Sequence, residues 1–520
     1  MPADVSRSTG RGNRWHRTTW CVAMLVAMSV VVMFMAAAGA RADEAGDLAA
    51  LRNMRAVIGT SRIGSQEFVT SLDLSPVGGM GDAALLLASS FTGARDLTTP
   101  EYGVSDAGLL LLAKLKQLRK LSCAKPDFGA ESLISDRGLS SLAGLTKLEE
   151  LDLEGAVMVT DSGLRTLFHL SLLRTLNVAD TGVRFHFDAP LPWRALEVLQ
   201  AAGSTGIDDV GLARIAGLPS LRSLDVANCP VSDAGVASLE KCSTLENLTI
   251  ADTRTTAAAL SALARLPRLR ALDISGTAVG DDDLAQLAAV PLRSLKLSRT
   301  KATDRGIAAV VANRALKDLA VGYAHVTYRC WPEIAALTNL ESLDLAGIAP
   351  PTTGYSALAA LPLSQLTIGS AELTDSTAST VGGFKRLRSL TVAGGAIGQQ
   401  TIEAIYKLPI ESLTLVNVKL PPHLLRRFAQ TASLRRLNLT SVKLDDAGLA
   451  AISAVGQLDY ISLTDCSGIS ARSLTAMLAR LPHVRAIDLT GVLELTDEDV
   501  EAIARRYPRL RVIARVVTST

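Results

Sequence analysis

Aromatic residues are scarce: 9 Phe, 7 Tyr and 4 Trp make up 4% of a 520-residue chain that is 48% hydrophobic. Leu, Ala and Val must therefore fill the core, which suits many small, similar packing layers better than one large irregular core. Histidine is equally thin. Apart from His16, only His169, His186, His325, His423 and His483 occur, none paired at metal-ligand spacing. Neither a phosphate-cradling G-x-x-x-x-G-K nor a G-x-S-x-G nucleophile elbow is present. No catalytic residue, cofactor or metal is expected. Cys21 lies in the first apolar run; Cys123, Cys229, Cys242, Cys330 and Cys466 are widely spaced without a Cys-x-x-Cys pair. Free buried thiols are the simpler expectation, with one bridge possible in an oxidising compartment.

Acid is almost absent from the first 42 residues, where Arg7, Arg11, Arg14 and Arg17 precede an apolar run from Trp20 to Ala38 and the small-residue site Ala40-Arg41-Ala42. This pattern predicts a cleaved signal peptide over 1–42, with an uncleaved anchor as the alternative. No adjacent Arg pair precedes the run, which favours the general secretory route. Residues 1–42 hold five basic residues and one acidic, so 48 Lys+Arg and 50 Asp+Glu remain of 53 and 51. A chain so near neutrality has no global attraction to nucleic acid, and contact with a membrane is expected only if the segment is retained.

What the chain has in abundance is one repeated word. Leu221-Arg-Ser-Leu224-Asp-Val226 returns as Leu269-Arg-Ala-Leu272-Asp-Ile274, Leu340-Glu-Ser-Leu343-Asp-Leu345 and Leu434-Arg-Arg-Leu437-Asn-Leu439. Its middle anchor falls at 72, 97, 121, 151, 176, 199, 224, 248, 272, 295, 319, 343, 366, 390, 413, 437, 461, 487 and 513, Leu at all but the last three, which are Ile. In L-x-x-L-x-L the apolar residues alternate inward around a short strand, and stacked strands form one parallel sheet. The second half of each repeat reads as a helix. Val159-Thr160-Asp161-Ser-Gly163-Leu164, Val231-Ser232-Asp233-Ala-Gly235-Val236 and Leu444-Asp445-Asp446-Ala-Gly448-Leu449 place an N-cap and an acidic residue before an apolar stripe.

These words resemble the leucine-rich-repeat superfamily, specifically its short strand–helix repeats similar to ribonuclease-inhibitor-like and cysteine-containing subtypes of bacterial exported proteins. The resemblance implies an α/β solenoid, a curved horseshoe with the parallel sheet on its concave face and helices outside. The turn position usually held by Asn or Cys is instead Thr181, Thr253, Thr277 and Thr300, with Cys at Cys229 and Cys466, so no continuous Asn ladder is expected. Residues 43–68 are expected to cap the N-terminal layer, 69–515 to form about nineteen repeats, and 516–520 to be a tail. Gly78-Gly79-Met80-Gly81 reads as a turn. Asp281-Asp282-Asp283 could suggest a cation site but falls where a helix N-cap belongs.

Three surface features are candidates for recognition. The residue after the first Leu alternates in sign, as in Arg388, Glu411, Arg435, Asp459, Arg485, which reads as a stacking ladder. The outward strand positions are small and polar, with acid at Asp152, Asp225 and Asp273. Aromatics gather in two loops, one carrying Phe185, His186, Phe187 and Trp193, the other Tyr323, His325, Tyr328 and Trp331. Both loops read as interruptions of the capped-helix word, where rings either fill a gap or form a contact site along one rim. The expected function is an exported, secreted or periplasmic, monomeric and non-enzymatic protein–protein interaction scaffold that binds through its concave sheet and rim loops. A membrane-tethered receptor or adhesion module, a secreted effector and an enzyme with an unrecognised site are the alternatives.

Overall fold

A computed structural model describes residues 44–63, 66–77, 80–100, 102–123, 132–371, 373–395 and 397–514. The predicted signal peptide, Gly78, Gly79 and the 516–520 tail lie outside the described residues. Two compact units emerge, one running to Val183 and including Leu191–Leu196, the other comprising Arg184–Pro190 and the chain from Glu197 onward.

The first unit opens with a helix, Glu44–Asn53, and a strand, Val57–Ile63, pairing antiparallel with Gln66–Asp73. The segment expected only to precede the first strand thus already contributes one. From Gln66–Asp73 onward the pairing is parallel, and Leu72, Leu97, Leu121, Leu151 and Leu176 stand opposite one another in successive strands. All five are buried. Burying each such side chain contributes roughly 2 kcal/mol.

In the second unit the same register runs without a break from Leu199 through Leu224, Leu248, Leu272, Leu295 and Leu319 to Leu343. It continues through Leu366, Leu390, Leu413 and Leu437 to Ile461 and Ile487. The final step departs from the expected anchor, because Ile487 faces Val512 and not Ile513. That strand, Arg511–Ile513, has no further repeat to pack its other side among the described residues. Its inward residues are only half-buried, so little apolar burial opposes a one-residue slip. Each unit is a leucine-rich-repeat solenoid of parallel strands alternating with short helices.

The helix word proves to be a clamp between repeats. Ser105, Ser135, Thr160, Ser232 and Thr303 cap their own helices through the side-chain oxygen, as expected. The following Asp faces the next repeat. Asp106 accepts from the Ser135 amide at 2.8 Å and hydroxyl at 2.6 Å, and Asp136 accepts from Thr160 at 2.7 and 2.6 Å. The second unit repeats this with Asp209 on Ser232, Asp281 on Thr303 and Asp304 on Thr327. The same contact explains the glycine of the word. A Cβ on Gly108, Gly138 or Gly163 would lie 3.1 Å from the carboxylate carbon of Asp82, Asp106 or Asp136 and collide with its Oδ1. Asp281, read as a cap residue of its own helix, is thus the acceptor that fastens Thr303 to the repeat before it.

Candidate interaction surface

Most strands exit through a turn whose fourth residue past the anchor holds left-handed backbone, the turn after Leu366 being an exception with Gly369 at φ +157°. In the second unit φ is +57° at Asn228, +54° at Asp252, +57° at Arg299, +58° at Tyr323, +51° at Asn417, +54° at Ser441 and +52° at Asp465, with Gly276, Gly347, Gly394 and Gly491 at the same step. The amide at this position donates to the next repeat, Arg299 to Gly322 at 2.9 Å and Tyr323 to Ala346 at 2.7 Å, which locks the conformation. Gly, Asn and Asp suit that region; a bulky side chain there is strained by roughly 1 kcal/mol or more. Arg299 and Tyr323 are the bulky residues at this step in the second unit.

Both use glycine neighbours as seats. Arg299 reaches across Gly276 to grip Asp252 with Nη2 at 3.0 and 2.7 Å from its two oxygens. Tyr323 lies forward over Gly347, where a Cβ would meet its ring carbons at 2.5 and 2.9 Å. The Tyr323 side chain is nevertheless 64% exposed. His325 is exposed beside it, and Tyr328 is 44% exposed. Tyr328 occupies the step that Asp281 and Asp304 hold in the preceding repeats, so no carboxylate clamp starts from it.

The other loop aromatics are interior. Phe185, Phe187, Trp193 and Trp331 are buried, so they pack and present no surface. Trp331 stacks on Tyr355 of the next repeat with centroids 5.2 Å apart, joining a pair of repeats that lacks the clamp. In the first unit Trp193 donates Nε1–H to the Leu167 carbonyl at 3.2 Å and meets Phe168 edge-on at 5.4 Å. Phe185 and Phe187 meet edge-on at 6.4 Å, while His186, partly exposed, lies 2.8 Å from Asp208. The two loops also differ from expectation in kind. No helix forms between Asn177 and Val198, whereas Thr327 caps the turn Tyr328–Cys330, which runs into the helix Trp331–Ala335.

The three acidic candidates have local duties. Asp152, Asp225 and Asp273 each turn Oδ1 back to an amide of their own exit turn, Glu154, Ala227 and Ser275, at 3.0 Å. Asp152 also accepts from Ser122 at 3.0 Å, and Asp273 lies 3.7 Å from Lys296. Partial burial pushes the Asp152 and Asp225 carboxyls above the usual carboxylate range, and Asp273 adds like charge to Asp225. Asp344 behaves likewise, through burial and then Asp318. The turn-position Thr181, Thr277 and Thr300 each donate the hydroxyl to a carbonyl three residues back, at 2.6–2.7 Å, a bond within their own repeat. All five described cysteines are buried and unbridged.

Among the described residues no three His, Cys, Asp or Glu side chains gather as a metal site, and no helix is long and apolar enough to cross a membrane. A family model described as a leucine-rich repeat matches residues 217–239. None of the curated proteins matches the sequence. Among solved structures the chain is similar to an internalin of Listeria monocytogenes at 18% identity and a TM-score of 0.35, over 63% of this chain and 82% of that one. A leucine-rich-repeat protein of Leptospira interrogans aligns at 17% identity and a TM-score of 0.35, over 82% and 91%. The plant peptide hormone receptor RGFR1 in complex with RGF2 aligns at 12% and 0.33, over 82% and 87%. With the L-x-x-L-x-L strand repeated in register within each unit and the leucine-rich-repeat model matched on residues 217–239, each unit has the fold of a leucine-rich-repeat solenoid.

Proposed function

We propose that this chain is an exported protein–protein interaction scaffold without catalytic activity of its own, and that its second unit contacts a partner at Tyr323, His325 and Tyr328. Stacked repeats supply extended contact area, and tyrosine is among the residues that dominate binding energy when a partner covers them. The observation that carries the reading is Tyr323, a large exposed ring held where the backbone favours glycine. A residue that strains its own turn without filling the core is retained at a cost that packing does not explain. The basic and apolar pattern of residues 1–42 supports export.

The test is proximity labelling from the native exported protein, comparing wild type with Tyr323→Gly and Tyr328→Ala. Tyr323→Gly relieves the left-handed strain, so its melting temperature should hold or rise while a captured partner is lost. Capture unchanged in both variants would remove Tyr323 and Tyr328 from the contact. Sequencing the mature N-terminus tests export separately: a start at Asp43 supports a released protein, and an intact N-terminus supports a tether.

A further inference from the structure

The alternating-charge row is paired at three places in the second unit: Arg222 to Glu246 at 2.6 Å, Lys317 to Glu341 at 2.6 Å, Arg388 to Glu411 at 3.3 Å. At the next acidic step the glutamate is replaced by Asp459, one methylene shorter, and no ion pair joins it to Arg435 or Arg485. Arg435 turns Nη1 instead to the Ala432 and Leu434 carbonyls, at 2.9 and 3.2 Å. An open groove of about 580 Å³ lies at this place, lined by Arg435, Gln457, Asp459, His483, Arg485 and Arg509 among others. Three arginines therefore line one groove with a single acidic residue, Asp459. Arg435, Arg485 and Arg509 are exposed, and none forms an ion pair among the described residues.

Pro482, Val484 and Arg509 also line a second cleft of about 350 Å³, whose walls include Leu478, Leu481 and Tyr507. A cationic groove thus continues into an apolar notch large enough for one or two side chains. We infer that this edge of the last four repeats binds an extended acidic peptide segment, with a carboxylate on Arg485 and Arg509 and an adjacent apolar side chain in the notch. Planar guanidinium groups match carboxylates in bidentate geometry, and charge complementarity selects the sign of the ligand. An acyl chain is the poorer occupant, because both recesses are open and the notch is short. The site is separate from the Tyr323 surface and stands whether or not that surface binds a partner.

Fluorescence anisotropy of the full chain tests this with a fluorescein-labelled, N-acetylated, C-amidated nonapeptide of alternating Glu and Leu. A peptide with Gln in place of Glu, and inorganic phosphate as competitor, complete the set. The Glu peptide should bind, the Gln peptide at least tenfold more weakly, and Arg485→Gln/Arg509→Gln should cost tenfold or more without lowering the melting temperature. Asp459→Glu, which restores the reach to Arg435 or Arg485, should weaken binding by a similar factor, and Asp459→Asn should strengthen it. Absent binding, equal binding of the Gln peptide, indifference to the arginine pair, or full displacement by millimolar phosphate each overturns the proposal, the last by showing a generic anion site.

Discussion

Asp281 and Gly306 allow the clamp to be tested as a mechanism. The Asp281 side chain is only 10% exposed, and it accepts from the Thr303 amide at 2.7 Å, the Thr303 hydroxyl at 2.6 Å and the Gly306 amide at 3.1 Å. Hydrogen bonds to a charged group contribute about 1.5–3 kcal/mol each, less than additively, so Asp281→Ala should cost about 2–4 kcal/mol. A Cβ on Gly306 would lie 2.5 Å from Asp281 Oδ1 and 2.9 Å from Leu284 Cδ1. Gly306→Ala alone should therefore destabilise by about 1–2 kcal/mol, overpacking outweighing the gain of about 1 kcal/mol that alanine brings to a helix. With Asp281→Ala already present the contact with Oδ1 is gone and only the flexible Leu284 Cδ1 has to give way, so the cost of Gly306→Ala should fall to about zero. The coupling energy of this cycle should be about 1–2 kcal/mol. A long repeat array does not unfold in one step, so the assay is native-state hydrogen exchange at the Thr303 and Arg305 amides, supported by urea unfolding. An equal effect of Gly306→Ala in both backgrounds would falsify the argument, since the glycine would then owe nothing to the neighbouring carboxylate.

Other consequences are simpler to read out. Trp331→Ala should destabilise by about 3–5 kcal/mol, because the ring is buried and stacked on Tyr355; a melting shift no larger than that of Tyr323→Gly would contradict its packing role. Burial raises the Asp344 carboxyl and the nearby Asp318 adds to it, so its folded state favours the protonated form; that contribution is present below about pH 4 and lost as pH rises through the raised value. Asp344→Asn should then stabilise by on the order of 0.5 kcal/mol at pH 7 and not at pH 3.5, measured by urea midpoint at both. Asp375 is opposite in sign: burial pushes it up, but the Thr401 hydroxyl and the Thr401, Gly398 and Gln400 amides outweigh that and hold it low. Its contribution is present above about pH 4 and lost only as pH falls below, so Asp375→Ala should narrow the stability gap to wild type under acid. Burial pushes the Cys123, Cys229 and Cys330 thiols up to about 12, so alkylation by iodoacetamide at pH 8 should be slow in the native protein and fast in guanidinium; rapid native labelling would place them outside the core.

The strand half of the repeat was legible because its signal is local and periodic: Leu224, Leu248 and Leu272 announce both the strand and its register. The clamp was not, because its partners lie one repeat apart and a cap followed by Asp looks complete within its own helix. The signal available was the glycine two residues after that Asp, otherwise a poor choice inside a helix. Exposure of the aromatics was also hidden. Trp331 sits where a leucine or isoleucine would pack, whereas Tyr323 sits on a turn step normally given to Gly or Asn, and only backbone φ separates the two. Asp152, Asp225 and Asp273 were visible as outward acids, but their bonds to their own exit turns depend on side-chain rotation.

The clamp series in the second unit is discontinuous. Asp209 holds Ser232 and Asp233 holds Thr256, but Ala257 follows, and the Gly280 amide turns to Asp283 of its own helix at 3.4 Å. Asp281 and Asp304 resume the series, and it lapses again at Tyr328. Asp375 holds Gly398 and Thr401, whereas Ser470 and Thr496 bond only within their own helices. A chain under tension, or exposed to protease during brief openings, should part first at the seams without a clamp. The repeats between them would then come away as blocks, like a zipper with missing teeth, rather than peeling one at a time from an end.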